Sequence, residues 1–199
     1  MEEKRKIYKL NVADYCLHTN AFPLEPSAVV WLQGCLKKCP GCMAPKWRDT
    51  GQGQALEPGK LVADIIAEPG LGMVVVSGGE PLLQVKALDL FLTELKQKSK
   101  LTSLLYTGYN EEELYQDQEK INLARSFDIS IFGPYIKHLN DGKGFRGSSN
   151  QLVKINNPEY EYLRQLFEYG SRKADLEVGL NHVRIIGIPP KALDYVRLL

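Results

Sequence analysis

The chain has little cysteine, little histidine and no long apolar run. Its 199 residues include four cysteines, three histidines and two tryptophans. The longest apolar stretches, "AVVWL" and "MVVV", are strand-sized, far below the ~20 residues that span a bilayer. No membrane is expected as a partner. An excess of one charge is also missing: 25 Lys and Arg face 24 Asp and Glu, a net charge of +1. Net charge therefore offers no footing for nucleic acid or another polyanion. The opening "MEEKRKIYKLNVADY" is charged and has no apolar signal core. A cytoplasmic location is expected, where thiols stay reduced and a disulfide framework is a poor account of the cysteines. No internal repeat or low-complexity tract interrupts the chain. Its length fits one domain, with room for a small appendage.

What is present is a regular alternation. "SAVVWLQG", "GMVVVSGG", "LTSLLYTG" and "FDISIFGP" read as buried strands, and "KIYKLNVAD" as an earlier one. Between them lie helical patterns. "EPGKLVADIIAE" has Pro58 near its start, where proline is tolerated. "LLQVKALDLFLTELKQKSK" places Val85, Leu88, Phe91, Leu92 and Leu95 at helical spacing. "NEEELYQDQEKINLARSF" offers Asn110 as an N-cap, with Glu113 completing a capping box. Apolar strands alternating with helices predict βαβ units and a parallel sheet. In such folds function gathers at the carboxyl ends of strands. The residues to read are then "QGC", "SGGEP", "TGY" and "FGPY".

Three of the four cysteines fall within eight residues of "GCLKKCPGCMAPKW": Cys35, Cys39 and Cys42, spaced C-x3-C-x2-C. Two metal readings compete. Structural zinc wants four closed ligands, so Cys16 or His18 would have to complete the set. An iron–sulfur cubane held by three local thiolates leaves one iron open to a small molecule. Cys16 itself reads as a buried structural thiol. His18, His138 and His182 are isolated and read as ordinary surface or satisfied histidines.

C-x3-C-x2-C after one strand and "SGGEP" after the next resembles the radical S-adenosyl-L-methionine (SAM) enzymes. That resemblance implies a 4Fe-4S cluster on Cys35, Cys39 and Cys42, with SAM on the fourth iron. Gly78, Gly79 and Glu80 match the family's Gly-Gly-Glu element. Glycines allow close backbone approach, and a carboxylate can accept a charge-assisted bond from the SAM ammonium group. "TGYNEEEL" and "FRGSSNQLVKIN" further resemble the small activases of anaerobic ribonucleotide reductase, so similarity covers most of Val29 to Asn156. It places Thr107, Gly108 and Tyr109 near SAM. Arg146, Ser148, Ser149 and Asn150 either line the site too or merely hold their own loop. Thr107 and Asn150 are taken as SAM-binding.

The chain also departs from those activases. "NAFPLEPSAVVW" lacks their Asp-Gly-Pro-Gly stretch. Phe132 stands where they carry Asp before Gly-Pro, and Met43 where a small polar residue follows the third cysteine. The implied fold is a partial, open (β/α)6-type barrel formed by residues 1–156. Residues 157–199 form a C-terminal extension that packs on or completes it. "EYEYLRQLFEYG" reads there as a packing helix, and "LEVGLNHVRIIGIPP" as a strand pair or long strand. The extension lies beyond the motifs and is not expected to reach the cluster. "KHLNDGKGFR" reads as a solvated loop. The implied activity is reductive cleavage of SAM to a 5′-deoxyadenosyl radical, which abstracts hydrogen from a polypeptide. The departures favour a maturase of a ribosomally made precursor peptide, by modification or by backbone rearrangement or excision. The alternative is an activase that installs a glycyl radical on a partner enzyme. The rival from another class is a zinc-binding adaptor without activity. Expected partners are the polypeptide and a low-potential electron donor such as flavodoxin or ferredoxin, with a small delivery protein left open.

Overall fold

The computed structural model describes residues 8–178 and 183–190. Strand β1 (Leu10–Thr19) pairs antiparallel with β2 (Ser27–Leu32), and the short β3 (Gln54–Leu56) lies on the other side of β1. Three helix–strand units follow: α1 (Pro58–Ala67) to β4 (Met73–Gly78), α2 (Val85–Lys98) to β5 (Thr102–Thr107), and α3 (Gln118–Ser126) to β6 (Ile129–Phe132). Strand β7 (Leu152–Ile155) closes the far edge, antiparallel to β6. The sheet order is β3-β1-β2-β4-β5-β6-β7, with β2, β4, β5 and β6 parallel. The expected α/β class with a mostly parallel central sheet is observed. Then come α4 (Arg164–Tyr169) and a separate antiparallel hairpin, β8 (Ala174–Val178) with β9 (Val183–Gly187). The second of the two readings for "LEVGLNHVRIIGIPP", one long strand, is thus replaced by the first; its residues 179–182, His182 among them, lie outside the described residues.

Side-chain alternation divides the core. Val30 and Leu32 of β2 and Val74 and Val76 of β4 face the helices, meeting Leu61 and Ile65 of α1 and Leu88, Phe91 and Leu95 of α2. Val29, Trp31, Val75 and Leu104 face the other way. There they meet Phe22, Phe145, Leu163, Phe167 and Ile186, so residues beyond Asn156 contribute to this layer. All six residues of β2 are buried, because both of its faces are covered.

Two local readings are overturned. Asn110 does not start a helix. The Glu113 carboxylate accepts from the Asn110 N–H at 2.7 Å, which is half of a capping box, but Glu113 also pairs with Lys37 and only a 3-10 turn forms. Helix α3 starts eight residues later, where Asp117 accepts from the Lys120 N–H. The loop "KHLNDGKGFR" is not simply solvated. Phe145 and Asn140 are buried, and the Gly144 and Phe145 N–H groups donate to the carbonyls of Gly170 and Phe167. The buried Arg172 guanidinium donates to the carbonyls of Gly144, Lys143, Arg146 and Gly147 and to the Asn140 side chain.

The end of β4 bears directly on the site. Gly78 has φ of 117°, and a Cβ there would meet Leu32 N at 2.3 Å and Leu32 O at 2.4 Å. Gly78→Ala is expected to lower stability by roughly 3 kcal/mol through combined backbone strain and overpacking, or ~10 °C in melting temperature for a chain of this size. Gly70 also has positive φ, at 76°, but meets nothing within 4 Å. Gly70→Ala should therefore cost about 1–2 kcal/mol. Equal melting temperatures for the two variants of the metal-free protein would refute the steric account.

Candidate functional site

The site starts where β2 ends. The buried Gln33 side chain donates to Asp49 O at 2.6 Å. The Gly34 N–H donates to Trp47 O at 2.7 Å, and the Cys35 N–H to Arg48 O at 3.0 Å. These bonds close residues 35–48 into a loop with a fixed neck. Trp47 seals it by packing on Trp31, with ring centroids 5.5 Å apart. Inside the loop the Cys42 N–H donates to Cys39 O, and Gly41 supplies the positive φ that the turn needs. Cys35, Cys39 and Cys42 are half-buried and line one cavity of about 270 Å³ at the carboxyl ends of the parallel strands. Burial pushes the Cys35 thiol up, and the nearby Glu80 carboxylate adds to the shift. A metal bound there would displace that proton.

Gly78, Gly79, Glu80 and Thr107 line the same cavity. The two glycines are there for a reason other than ligand approach. The space of a Gly79 Cβ is taken by Gly34 O at 2.2 Å, as that of Gly78 is by Leu32. The glycines let the end of β4 close onto the end of β2, where the Gly79 N–H donates to Leu32 O and the Glu80 N–H to Gly34 O, both at 2.7 Å. This contact fixes Glu80 relative to the cysteine loop.

Glu80 is 1 % exposed. Its Oε1 accepts from Leu82 N at 3.0 Å and from the Thr107 hydroxyl at 2.8 Å; its Oε2 accepts from Gly108 N at 2.8 Å. A carboxylate oxygen offers about two acceptor sites, so Oε1 is filled and Oε2 keeps one. Burial pushes the Glu80 carboxyl above its ordinary range, while the three hydrogen bonds and the charge of Lys37 pull it back. No cation pairs with it among the described residues. A buried acceptor of this kind, on a cavity wall, is suited to a cationic ligand.

Asn150 is not brought to the cavity. It is exposed, and its amide donates to Pro134 O at 2.9 Å. Arg146, Ser148 and Ser149 likewise hold the loop: Arg146 donates to Ser149 O, the Ser148 hydroxyl accepts from Ile136 N, and Ser149 N donates to Leu139 O. The neighbour Gln151 lines the cavity instead, with its side chain fixed by Gly133 O and by the N–H groups of Gly147 and Ser148. Tyr106 was also missed, although it shares a strand face with Leu104 and so follows from period-two alternation. Lys37 escaped notice as one more lysine. It crosses from the cysteine loop to Glu113 at 2.8 Å and covers the Tyr109 ring at 4.4 Å.

The extension was expected not to touch the cluster, and lining of the shared cavity was not foreseen for it. Ile185, Gly187 and Ile188 do line it. Arg184 docks the hairpin by donating to Asp14 at 2.8 Å, and Asp175 accepts from the Thr19 hydroxyl and the Asn20 N–H.

The geometry bears on the metal readings. Among the described residues, no three His, Cys, Asp or Glu side chains gather as the ligands of a single ion. The zinc reading needed Cys16 or His18. Cys16 is buried on β1, where its thiol donates to His18 O, and the His18 ring lies beside Glu68. Neither reaches the loop cysteines' cavity. A cubane takes each thiolate at a different corner and needs its ligands further apart than one ion does. Three thiols around one cavity, with no fourth, fit that donor set.

Residues 27–154, well over half of the chain, match the 4Fe-4S single cluster domain family. The chain belongs to that family. Within it, similarity extends to the anaerobic ribonucleoside-triphosphate reductase-activating protein of Enterobacteria phage T4, 27 % identical over 133 residues, covering 64 % of this chain and 83 % of that protein. The pyruvate formate-lyase-activating enzyme of Staphylococcus aureus strain USA300 is 25 % identical over 180 residues, covering 85 % of this chain and 66 % of that enzyme. Both relatives are named for activating another enzyme. The resemblance to radical SAM enzymes, read from the cysteine spacing and the Gly-Gly-Glu element, and to their activases, read from "TGYNEEEL" and "FRGSSNQLVKIN", is borne out.

Proposed function

We propose that this 4Fe-4S family member is a radical SAM activase that installs a glycyl radical on a partner enzyme. The observation that carries this reading is the convergence of Cys35, Cys39, Cys42 and Glu80 on one cavity, in a chain whose relatives are activating proteins. The two relatives described, both activating proteins, favour this alternative over peptide maturation. The cysteines would hold the cluster, and the remaining acceptor site of Glu80 Oε2 would take the SAM ammonium group. When bound, the cluster supplies the electron that cleaves SAM reductively. The chain's own residues do the rest. Thr107 and Gly108 hold the carboxylate in place. Trp31, Tyr106, Ile185 and Ile188 give the cavity an apolar wall that keeps water from a reactive species.

The same reading orders the chain. The four parallel strands would form the surviving part of an open (β/α)6-type barrel. Residues 157–199 would complete a core made by 1–156, which the burial of Leu163, Phe167 and Ile186 supports. A cytoplasmic setting and a low-potential donor of the flavodoxin or ferredoxin kind go with the chemistry. No helix among the described residues is long and apolar enough to cross a membrane.

The test is activation in vitro. Protein reconstituted with iron and sulfide without oxygen is mixed with SAM, photoreduced 5-deazaflavin and a purified anaerobic ribonucleotide reductase. The expected result is a glycyl-radical signal on the reductase by electron paramagnetic resonance. Formation of 5′-deoxyadenosine with no radical on any glycyl-radical enzyme tried would sink the activase role and return precursor peptides to first place.

A further inference from the structure

We propose that the outer face of the cysteine loop is the docking surface for a small acidic protein that carries single electrons. The proposal rests on the reading that the loop holds a redox cluster, and it goes on to say where, and to what kind of partner, that cluster is exposed. The loop is itself molecular surface. Leu36, Lys38, Pro40, Gly41 and Met43 are exposed, while the cysteines they alternate with are half-buried against the cavity. Leu36 and Met43 are 72 % and 53 % exposed, which is costly for apolar side chains with nothing to meet.

The charge around them has one sign. From Gly34 to Arg48 there is no Asp or Glu, but there are Lys37, Lys38, Lys46 and Arg48, in a chain whose overall charge is balanced. Two of these four are engaged within the fold: Lys37 pairs with Glu113, and the Arg48 guanidinium donates to Lys37 O. The exposed Lys38 and Lys46 pair with nothing among the described residues. Lys137 joins them from the segment after β6. Its Cβ and Cδ would lie 3.3 Å from a Gly41 Cβ, so its stem packs on the loop, and its side chain too is exposed and unpaired.

Exposed apolar residues within a charged rim have the anatomy of a protein interface. Unpaired charges of one sign steer an oppositely charged partner and suppress wrong ones. Merely balancing buried thiolates would not need lysines out in water, where about 8 Å of electrolyte screens them. A polypeptide that is to be modified must enter the cavity. A donor of electrons need only approach the loop. In the encounter one electron passes from the reduced carrier to the cluster; the carrier is oxidised, the cluster is reduced, and no bond or proton is exchanged.

The experiment follows reduction of the reconstituted cluster by anaerobic stopped flow. Parent protein is compared with the triple variant Lys38→Glu, Lys46→Glu, Lys137→Glu and with the triple Lys→Arg variant. The reductants are a reduced, strongly acidic flavodoxin and photoreduced 5-deazaflavin, which is small and uncharged. With flavodoxin at low salt, the Glu variant should react about tenfold more slowly or worse, and the Arg variant like the parent. Added salt should slow the parent and not the Glu variant. With deazaflavin all three should react alike, and SAM affinity should be unchanged. Equal flavodoxin rates and salt dependences in parent and Glu variant would overturn the proposal. So would a Glu variant that flavodoxin reduces normally but that fails to activate its glycyl-radical partner, since the surface would then belong to the substrate. A parent that takes up no iron would instead strike the cluster reading beneath it. If the triple Glu variant does not fold, the Lys38→Glu and Lys137→Glu single variants carry the same comparison.

Discussion

Replacing Cys35, Cys39 or Cys42 singly by alanine should leave protein that reconstitutes with little iron or sulfide and forms 5′-deoxyadenosine only at background. Each thiolate would anchor a separate corner of the cluster, so two cannot substitute for three. The fold should survive the change. The three side chains sit in a surface loop, and neither apolar core cluster includes them. Melting of the metal-free variants should therefore stay close to the parent. Cys16→Ala should behave in the opposite way. Its thiol packs in the core behind Trp31, so the variant should lose about 1 kcal/mol of stability and keep its iron. Iron and sulfide analysis after anaerobic reconstitution decides the matter. A Cys16 variant without cluster, beside a loop variant with a full complement, would reverse the assignment.

Glu80→Gln should weaken SAM binding by at least about tenfold, for the loss of a charge-assisted bond of ~1.5–3 kcal/mol. The cluster content should not change. The substitution also disturbs the protein, because the present hydrogen bonds require acceptors on both oxygens. In one orientation the new amide N–H faces Gly108 N–H. In the other it faces Leu82 N–H. Some loss of stability is expected in either case, so equilibrium dialysis of SAM must be measured beside melting. The pH dependence separates the two roles. Burial raises the Glu80 carboxyl above its ordinary value. Only the ionised form attracts an ammonium group, so parent affinity should rise as pH rises through that elevated value. The Gln variant should lack the rise. A variant that melts lower but binds SAM as the parent does would make Glu80 a brace for the Thr107–Gly108 turn and nothing more.

The parallel core was legible because its strands carry both faces in their composition. "AVVW" and "MVVV" cannot be half-solvated, and the glycines that follow them mark the strand ends where Cys35 and Glu80 emerge. Seven of the eight residues expected to bind metal or SAM line one cavity. The eighth, Asn150, lies in the turn before β7 and is exposed, its amide on Pro134 O, while its neighbour Gln151 lines the cavity. The reason for Gly78 and Gly79 was not legible either. Their missing side chains make room for Leu32 and Gly34, which lie more than forty residues away in sequence. β3 was missed because its three residues are almost wholly exposed and carry no apolar pattern. The capping box at Asn110 misled because only its glutamate half forms: Glu113 accepts from the Asn110 N–H while also pairing with Lys37 from a distant loop. The strand pair was legible, but its place on the cavity wall was not, since Ile185, Gly187 and Ile188 carry no chemical signature and are positioned by the Arg184–Asp14 pair.

That last ion pair joins residues 170 positions apart. A contact of such long range carries the entropy of closing a large loop, which other structure must offset. The cysteine loop needs only its own neck, Gly34 to Trp47 and Cys35 to Arg48, and the adjoining strand ends. The two sides of one cavity thus differ in the range of the contacts that hold them. The side that would hold metal is closed by these local bonds, and the opposite wall by one that spans most of the chain.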